Sequence, residues 1–238
     1  VIEVNPRASR TVPILSKVTG VPMVKIAVEA MLGKKIKNMD YGTGLMGSKG
    51  LYAVKVPVFS GEKLTDVDIS LGPEMKSTGE VLGIDKDFNV AIYKGFLAAG
   101  MKIPVEGGVY VSLKKFDKTQ NSLEIIQKYI DLGFKIYTSR GTYEFLTGNN
   151  ISCTEIKPFE VQKHIYDGNI KVVINTPTRG GKTQSDAFKI RRKATEYRLP
   201  VLTSIETAAA FALAIRIKMS QPDLNYEPIN TYLGAAYK

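Results

Sequence analysis

Between Gly107 and Lys218, five short strand-like runs alternate with five longer amphipathic stretches. The strand-like runs are 109–113, 134–139, 151–156, 172–175 and 200–204. The helical stretches cover 122–132, a run from Thr142, then 159–167, 185–198 and 205–218. No other feature narrows the fold as much. Neighbouring strands separated by a helix are too far apart for a hairpin, so they pair in parallel through right-handed crossovers. The expected fold class is α/β, with an open parallel sheet and helices on its faces. Ligands of such sheets sit beyond the carboxyl ends of the strands, where loops and helix N-termini converge.

The polar groups of this half gather at those ends. Ser139-Arg140-Gly141-Thr142 joins a strand to a helix, bringing backbone N–H groups, two hydroxyls and a positive dipole end to one place. Asn175-Thr176-Pro177-Thr178-Arg179-Gly180-Gly181-Lys182 follows another strand and is flexible and cationic, Lys118 precedes a helix, and Lys157 ends a strand. A serine or threonine at one helix start is ordinarily just an N-cap. Taken together, the four strand ends describe an anion pocket.

The first hundred residues read differently. Val24, Ala27, Val28, Met31 and Leu32 fall at i, i+3, i+4, i+7 and i+8, an amphipathic helix from Pro22 to Leu32 closed by Gly33. Residues 34–50 are polar and glycine-rich, but Gly42, Gly44 and Gly47 match no phosphate-loop spacing and read as a connector. Leu51 to Val58 is strand-like despite Pro57. In Leu71-Gly72-Pro73-Glu74-Met75-Lys76-Ser77-Thr78-Gly79-Glu80 a turn begins at Gly72-Pro73, and Ser77 and Thr78 stand before Glu80 with capping chemistry. A second helix spans about Phe88 to Ala99, ended by Gly100, and Met101 to Glu106 is the expected link between two domains.

Composition excludes several classes. No apolar run approaches membrane-spanning length, so no membrane partner is expected. The single Cys153 rules out an internal disulfide and a cysteine-based zinc cluster; the single His164 rules out a histidine-rich metal site and reads as a packed residue. A net charge of +10 favours anionic partners. The basic residues form no block and do not interleave with aromatics, so small anions are expected rather than nucleic acid. Nothing at the start reads as a targeting peptide, and an opening strand without Met is expected to belong to a longer polypeptide.

That opening segment is Val1-Ile2-Glu3-Val4-Asn5-Pro6-Arg7-Ala8-Ser9-Arg10-Thr11. Its β-branched residues suggest a strand ending at Pro6, with Glu3 and Asn5 on one face. A carboxylate and an amide carbonyl are hard oxygen ligands for Mg²⁺ or Mn²⁺. Arg7 and Arg10 add guanidinium forks for phosphate or carboxylate oxygens. Glu-x-Asn alone reads better as a solvated edge strand; the whole segment points to phosphoryl chemistry.

The run IEVNPRASRTVPILSKVTGVPMVKIA resembles the metal-binding strand and following helix of an ATP-grasp domain, and LGPEMKSTGE is similar to a second signature of the same family. More narrowly, the chain resembles the C-terminal part of the carbamoyl phosphate synthetase large subunit over essentially its whole length. The resemblance implies that residues 1–103 end the carbamate-phosphorylating ATP-grasp domain. Residues 104–238 would form a methylglyoxal-synthase-like (Rossmann-like) allosteric domain. It implies Glu3 and Asn5 as metal ligands, Glu3 also against the ATP phosphates, and Arg7 and Arg10 on phosphate or carbamate oxygens. It places Lys118, Ser139, Thr142, Lys157, Asn175 and Thr176 in the nucleotide effector pocket. The implied partners are the rest of the large chain, a glutamine amidotransferase small subunit and a uridine nucleotide such as UMP, with IMP or PRPP as other effectors. The implied location is the cytoplasm. In ornithine-activated members a glutamate that grips the activator's amine aligns with Val56, which cannot do so. The spelling is closer to pyrimidine-dedicated, Gram-positive-type enzymes.

Two rival readings remain. A self-sufficient methylglyoxal synthase on the same small fold needs a carboxylate base at the phosphate pocket, and the aligned strand end, Ile136-Tyr137-Thr138-Ser139, carries none. A nucleic-acid-binding module rests on net charge alone.

Overall fold

A computed structural model describes residues 7–45, 47, 49–60, 75–178 and 185–233. Two helices, α1 (Thr11–Thr19) and α2 (Met23–Met31), lead through a short 3₁₀ turn at Ile36–Asn38 to a hairpin of β1 (Tyr52–Val58) and β2 (Gly79–Asp85). There follow α3 (Phe88–Ala98), β3 (Gly108–Ser112), α4 (Gln120–Asp131), β4 (Lys135–Thr138), α5 (Arg140–Thr147) and β5 (Thr154–Glu155). The chain continues as α6 (Pro158–Tyr166), β6 (Ile170–Asn175), α7 (Asp186–Glu196), β7 (Val201–Leu202), α8 (Ile205–Ser220) and α9 (Ile229–Leu233). The sheet order is β5-β4-β3-β6-β7, with every pairing parallel. The expected alternation is therefore present.

Local chemistry explains the boundaries. Asp87 caps α3, its carboxylate accepting from the N–H groups of Asn89 and Val90 at 2.7 and 3.1 Å. Thr119 caps α4, so that helix starts at Gln120, two residues before the expected Ser122. Central strands are apolar on both faces: Val109, Val111, Val172, Val173 and Ile174 have no exposed surface. The edge strands β5 and β7 shrink to two residues each; beside β5, Ile151 and Ile156 are buried, and Ile156 N–H donates to Thr138 O at 3.0 Å. Helix α8 is apolar almost all round because it lies between β7, α4 and α3.

The first half differs from expectation in two places. A helix precedes the one at Pro22, spanning Thr11–Thr19 and stopped by Gly20 in the left-handed conformation. Ser77 and Thr78 cap no helix: Thr78 N–H donates to Val58 O at 2.8 Å and opens strand β2, pairing antiparallel with β1. Helix α3 then lies across the hairpin and also against α8, with Phe96 edge-on to Phe211 at 5.3 Å between ring centres. Val90, Ile92, Tyr93 and Phe96 of α3 belong to the same buried cluster as β3, β6, α4 and α8. The stretch 101–106 is pinned too, since Ile103 is buried and its carbonyl accepts from Lys218 Nζ at 2.5 Å. No single helix among the described residues is long and apolar enough to cross a membrane.

Candidate functional site

In the five-stranded sheet the first strand in sequence, β3, is central; β4 and β5 are laid down on one side of it and β6 and β7 on the other. Strand order reverses between β3 and β6, and their carboxyl ends frame the crevice where ligands bind in open sheets. Ser112 and Asn175 face each other there in register. Thr176 N–H donates to Ser112 O at 3.1 Å, and Lys114 N–H donates to Thr176 Oγ1 at 2.9 Å. Thr176 thereby ties the loop after β3 to the end of β6.

Ser139 occupies the N-cap position of α5, yet its hydroxyl caps nothing. It donates to Ser112 Oγ at 3.1 Å and lies 3.3 Å from Thr142 Oγ1. Thr142, 1% exposed, accepts the N–H of Leu113 at 2.9 Å. Helix α5 starts at Arg140, two residues before the expected Thr142. Lys118 Nζ donates to Gly141 O at 2.6 Å, which holds its ammonium over the first turn of that helix. A positive dipole end, a lysine and two hydroxyls converge on one spot, a combination suited to a phosphate or carboxylate.

Lys157 stands apart. It caps α6 beyond edge strand β5, its N–H donates to Glu160 Oε2 at 2.7 Å, and its ammonium lies 5.9 Å from the Phe159 ring centre. No hydrogen bond among the described residues joins it to Lys118, Ser139, Thr142, Asn175 or Thr176. Sequence reading missed three contributors. Ser112 is signalled only by being the polar end of an apolar strand. Tyr110, buried beneath it, shares hydrogen bonds with Ser112 and Ser139, and desolvation pushes its hydroxyl up to about 12. Arg191, 4% exposed, donates to Asn175 Oδ1 at 2.9 Å and looks like one more surface base in the run Arg191-Arg192-Lys193.

At the opposite end, Glu3 and Asn5 lie outside the described residues. Their carboxylate and amide oxygens suit a hard divalent cation by chemical type. Among the described residues no three His, Cys, Asp or Glu side chains cluster around a possible metal position. Arg7 is exposed, whereas Arg10 Nη1 donates to both Ser77 O and Ser77 Oγ, at 3.0 and 3.1 Å. The two sequence signatures are thus in contact. Val56 packs toward α3: a Cβ placed on Gly95 would meet its Cγ2 at 2.8 Å.

Residues 121–203 match the family model of the MGS-like domain, and residues 1–39 that of the carbamoyl-phosphate synthase L chain, ATP binding domain. Over 98% of its length the chain is 56% identical to the carbamoyl phosphate synthase large chain of Clostridium acetobutylicum, covering 22% of that protein. This chain is homologous to the carbamoyl phosphate synthase large chain. It is also 47% identical over 98% of its length to the large chain of a Thermoanaerobacter species, covering 22% of it. Against that of Lachnoclostridium phytofermentans it is 42% identical over 90%, covering 20%. The chain spans about a fifth of these relatives' length. Ser139, Thr142, Lys157, Asn175, Thr176 and Arg191 fall inside the MGS-like match, whereas Tyr110, Ser112 and Lys118 precede it.

Proposed function

We propose that this chain is the C-terminal part of the large subunit of glutamine-dependent carbamoyl phosphate synthetase. Residues 1–103 end the ATP-grasp domain that phosphorylates carbamate, and 104–238 form the effector domain. The intact cytoplasmic enzyme makes carbamoyl phosphate from bicarbonate, two ATP and ammonia, for pyrimidine and arginine synthesis. The ammonia is released from glutamine by an amidotransferase small subunit. Glu3 and Asn5 hold Mg²⁺ or Mn²⁺, which neutralises phosphate charge when bound. Glu3 lies against the nucleotide phosphates, and Arg7 and Arg10 hold phosphate or carbamate oxygens, with Arg10 oriented by Ser77. Identity of 56% across 98% of the chain carries this reading.

Within it, Lys118, Ser139, Thr142, Asn175 and Thr176 receive a nucleotide effector, with Lys157 reaching in from the sheet edge. The monophosphate sits at the N-terminus of α5, neutralised by Lys118. A uridine nucleotide is the main effector, because apolar Val56 replaces the glutamate that would bind ornithine. Calorimetric titration of the chain with UMP, UTP, IMP and PRPP tests this. Saturable binding of a uridine nucleotide is expected; binding of IMP or PRPP alone would overturn the choice of effector, and no binding by any would remove the pocket.

A further inference from the structure

Asn175 is 1% exposed and closes β6 opposite Ser112. Its carboxamide orientation is decided by chemistry. A guanidinium carries donors and no acceptor, so the atom 2.9 Å from Arg191 Nη1 is the oxygen. The amide nitrogen therefore points elsewhere. Among the described residues it is buried and has no hydrogen-bond partner. A buried N–H₂ left without an acceptor is costly, and such groups need a reason.

Strand alternation shows which face the Asn175 side chain takes. Val109, Val111, Val172 and Ile174 pack in one core layer, and Tyr110 and Val173 in the other. Asn175 and Ser112 follow Tyr110 and Val173 by even steps, onto the second face. That face carries the hydrogen-bonded hydroxyls of Ser112 and Ser139 beside the start of α5. Asn175, which carries the orphan N–H₂, thus shares a face with the hydroxyl cradle and stands opposite Ser112 in register.

We infer that Arg191 is a positioning residue of this pocket, setting the Asn175 carboxamide so that its N–H₂ is offered to an acceptor oxygen of the ligand. The inference rests on the effector-pocket reading. Arg191 acts from α7, buried behind the amide. The ligand must bring a lone pair to this spot, as a phosphoryl oxygen, a ribose hydroxyl or a pyrimidine carbonyl does; a group that can only donate is turned away.

Calorimetry with UMP, and separately with inorganic phosphate, tests the arrangement. Absence of UMP binding by the parent chain would remove the pocket reading and this inference with it. With parent binding established, Arg191→Gln, whose own amide can donate or accept, is expected to weaken UMP by about tenfold, the size of one hydrogen bond. Arg191→Lys, still only a donor, should stay within about threefold of the parent. In the Asn175→Ser background, Arg191→Gln should cost nothing further, because its route to the ligand is gone. Parent-like binding by Arg191→Gln, or an undiminished loss in that background, would overturn the inference. Should Arg191→Gln fail to fold, Asn175→Asp decides. A carboxylate keeps the Arg191 pair and the thermal midpoint but faces the ligand with an oxygen, so UMP binding should fall by at least about tenfold. Unchanged UMP binding in that variant would refute the positioned donor. Phosphate weakened in parallel assigns the acceptor to the phosphoryl group, and phosphate unaffected assigns it to the nucleoside, both within the inference.

Discussion

The hydroxyl of Thr142 accepts the buried N–H of Leu113 at 2.9 Å, so the first turn of α5 is fastened to the loop that leaves β3. Thr142 is therefore structural before it is a ligand contact. Thr142→Val preserves shape and strands a buried donor, and should lower unfolding free energy by about 1–3 kcal/mol. Thr142→Ser keeps the acceptor and should be nearly neutral. Urea denaturation monitored by circular dichroism separates the two; equal midpoints would show that the hydroxyl carries nothing.

Lys118 makes the complementary prediction. Its ammonium already leans on Gly141 O at 2.6 Å and is partly exposed, so folding needs it little. Lys118→Met should leave the thermal midpoint almost unchanged while weakening UMP between about tenfold and a hundredfold, as removal of a charged hydrogen-bond donor does. The salt dependence of the residual binding should flatten. Calorimetry at two ionic strengths reads both effects.

Gly83 of β2 and Gly95 of α3 are in backbone contact. A Cβ built on Gly83 overlaps Ala91 O and Gly95 N and comes within 2.8 Å of Gly95 Cα. Backbone cannot swing aside as a side-chain tip can, so Gly83→Ala must push the hairpin off α3. We expect a loss of stability of about 3 kcal/mol or more, in the range of severe overpacking. The measurement is the urea midpoint, with Gly33→Ala, which meets no atom but has φ +93°, as a purely conformational comparison.

Alkaline behaviour should report on Tyr110. Burial holds its hydroxyl protonated up to about 12, above the ordinary tyrosine value of 10.0. The folded chain therefore keeps a proton that the unfolded chain releases, and stability must fall as pH rises through this window. The full effect is about 2–3 kcal/mol, present below pH 10 and lost by about pH 12. Tyr110→Phe should reduce the slope of unfolding free energy between those values. Phenolate absorbance of the parent should show a late-titrating tyrosine that the variant lacks.

Loss of charge at Glu3 addresses the other end of the chain. In the intact synthetase, Glu3→Gln should abolish ATP formation from carbamoyl phosphate and ADP while sparing the first phosphorylation, since a hard cation loses a charged ligand. Equal rates in that partial reaction would take Glu3 out of the site.

Alternation of short β-branched runs with capped helices was enough to give the parallel α/β sheet, because period and connection length are local properties. The same holds for the strand-end polar groups: Ser139, Thr142, Asn175 and Thr176 could be named from their places after strands. The opening signature and the LGPEMKSTGE run carried the family likeness, which the large-chain relatives bear out. What each polar atom does was beyond local reading. Whether Ser139 caps a helix or bonds Ser112, and whether Thr142 faces outward or supports Leu113, depends on strands 27 and 29 residues away in sequence. The hairpin was hidden because β2 begins inside the LGPEMKSTGE run, which reads as a turn, and carries Gly83 where α3 comes into backbone contact. Arg191 was the hardest to foresee. In sequence it is a base among bases on a surface helix, and only packing of α7 against β6 buries it behind Asn175. Burial removes water as an alternative partner, and that is how tertiary structure turns an ordinary arginine into the group that fixes an amide.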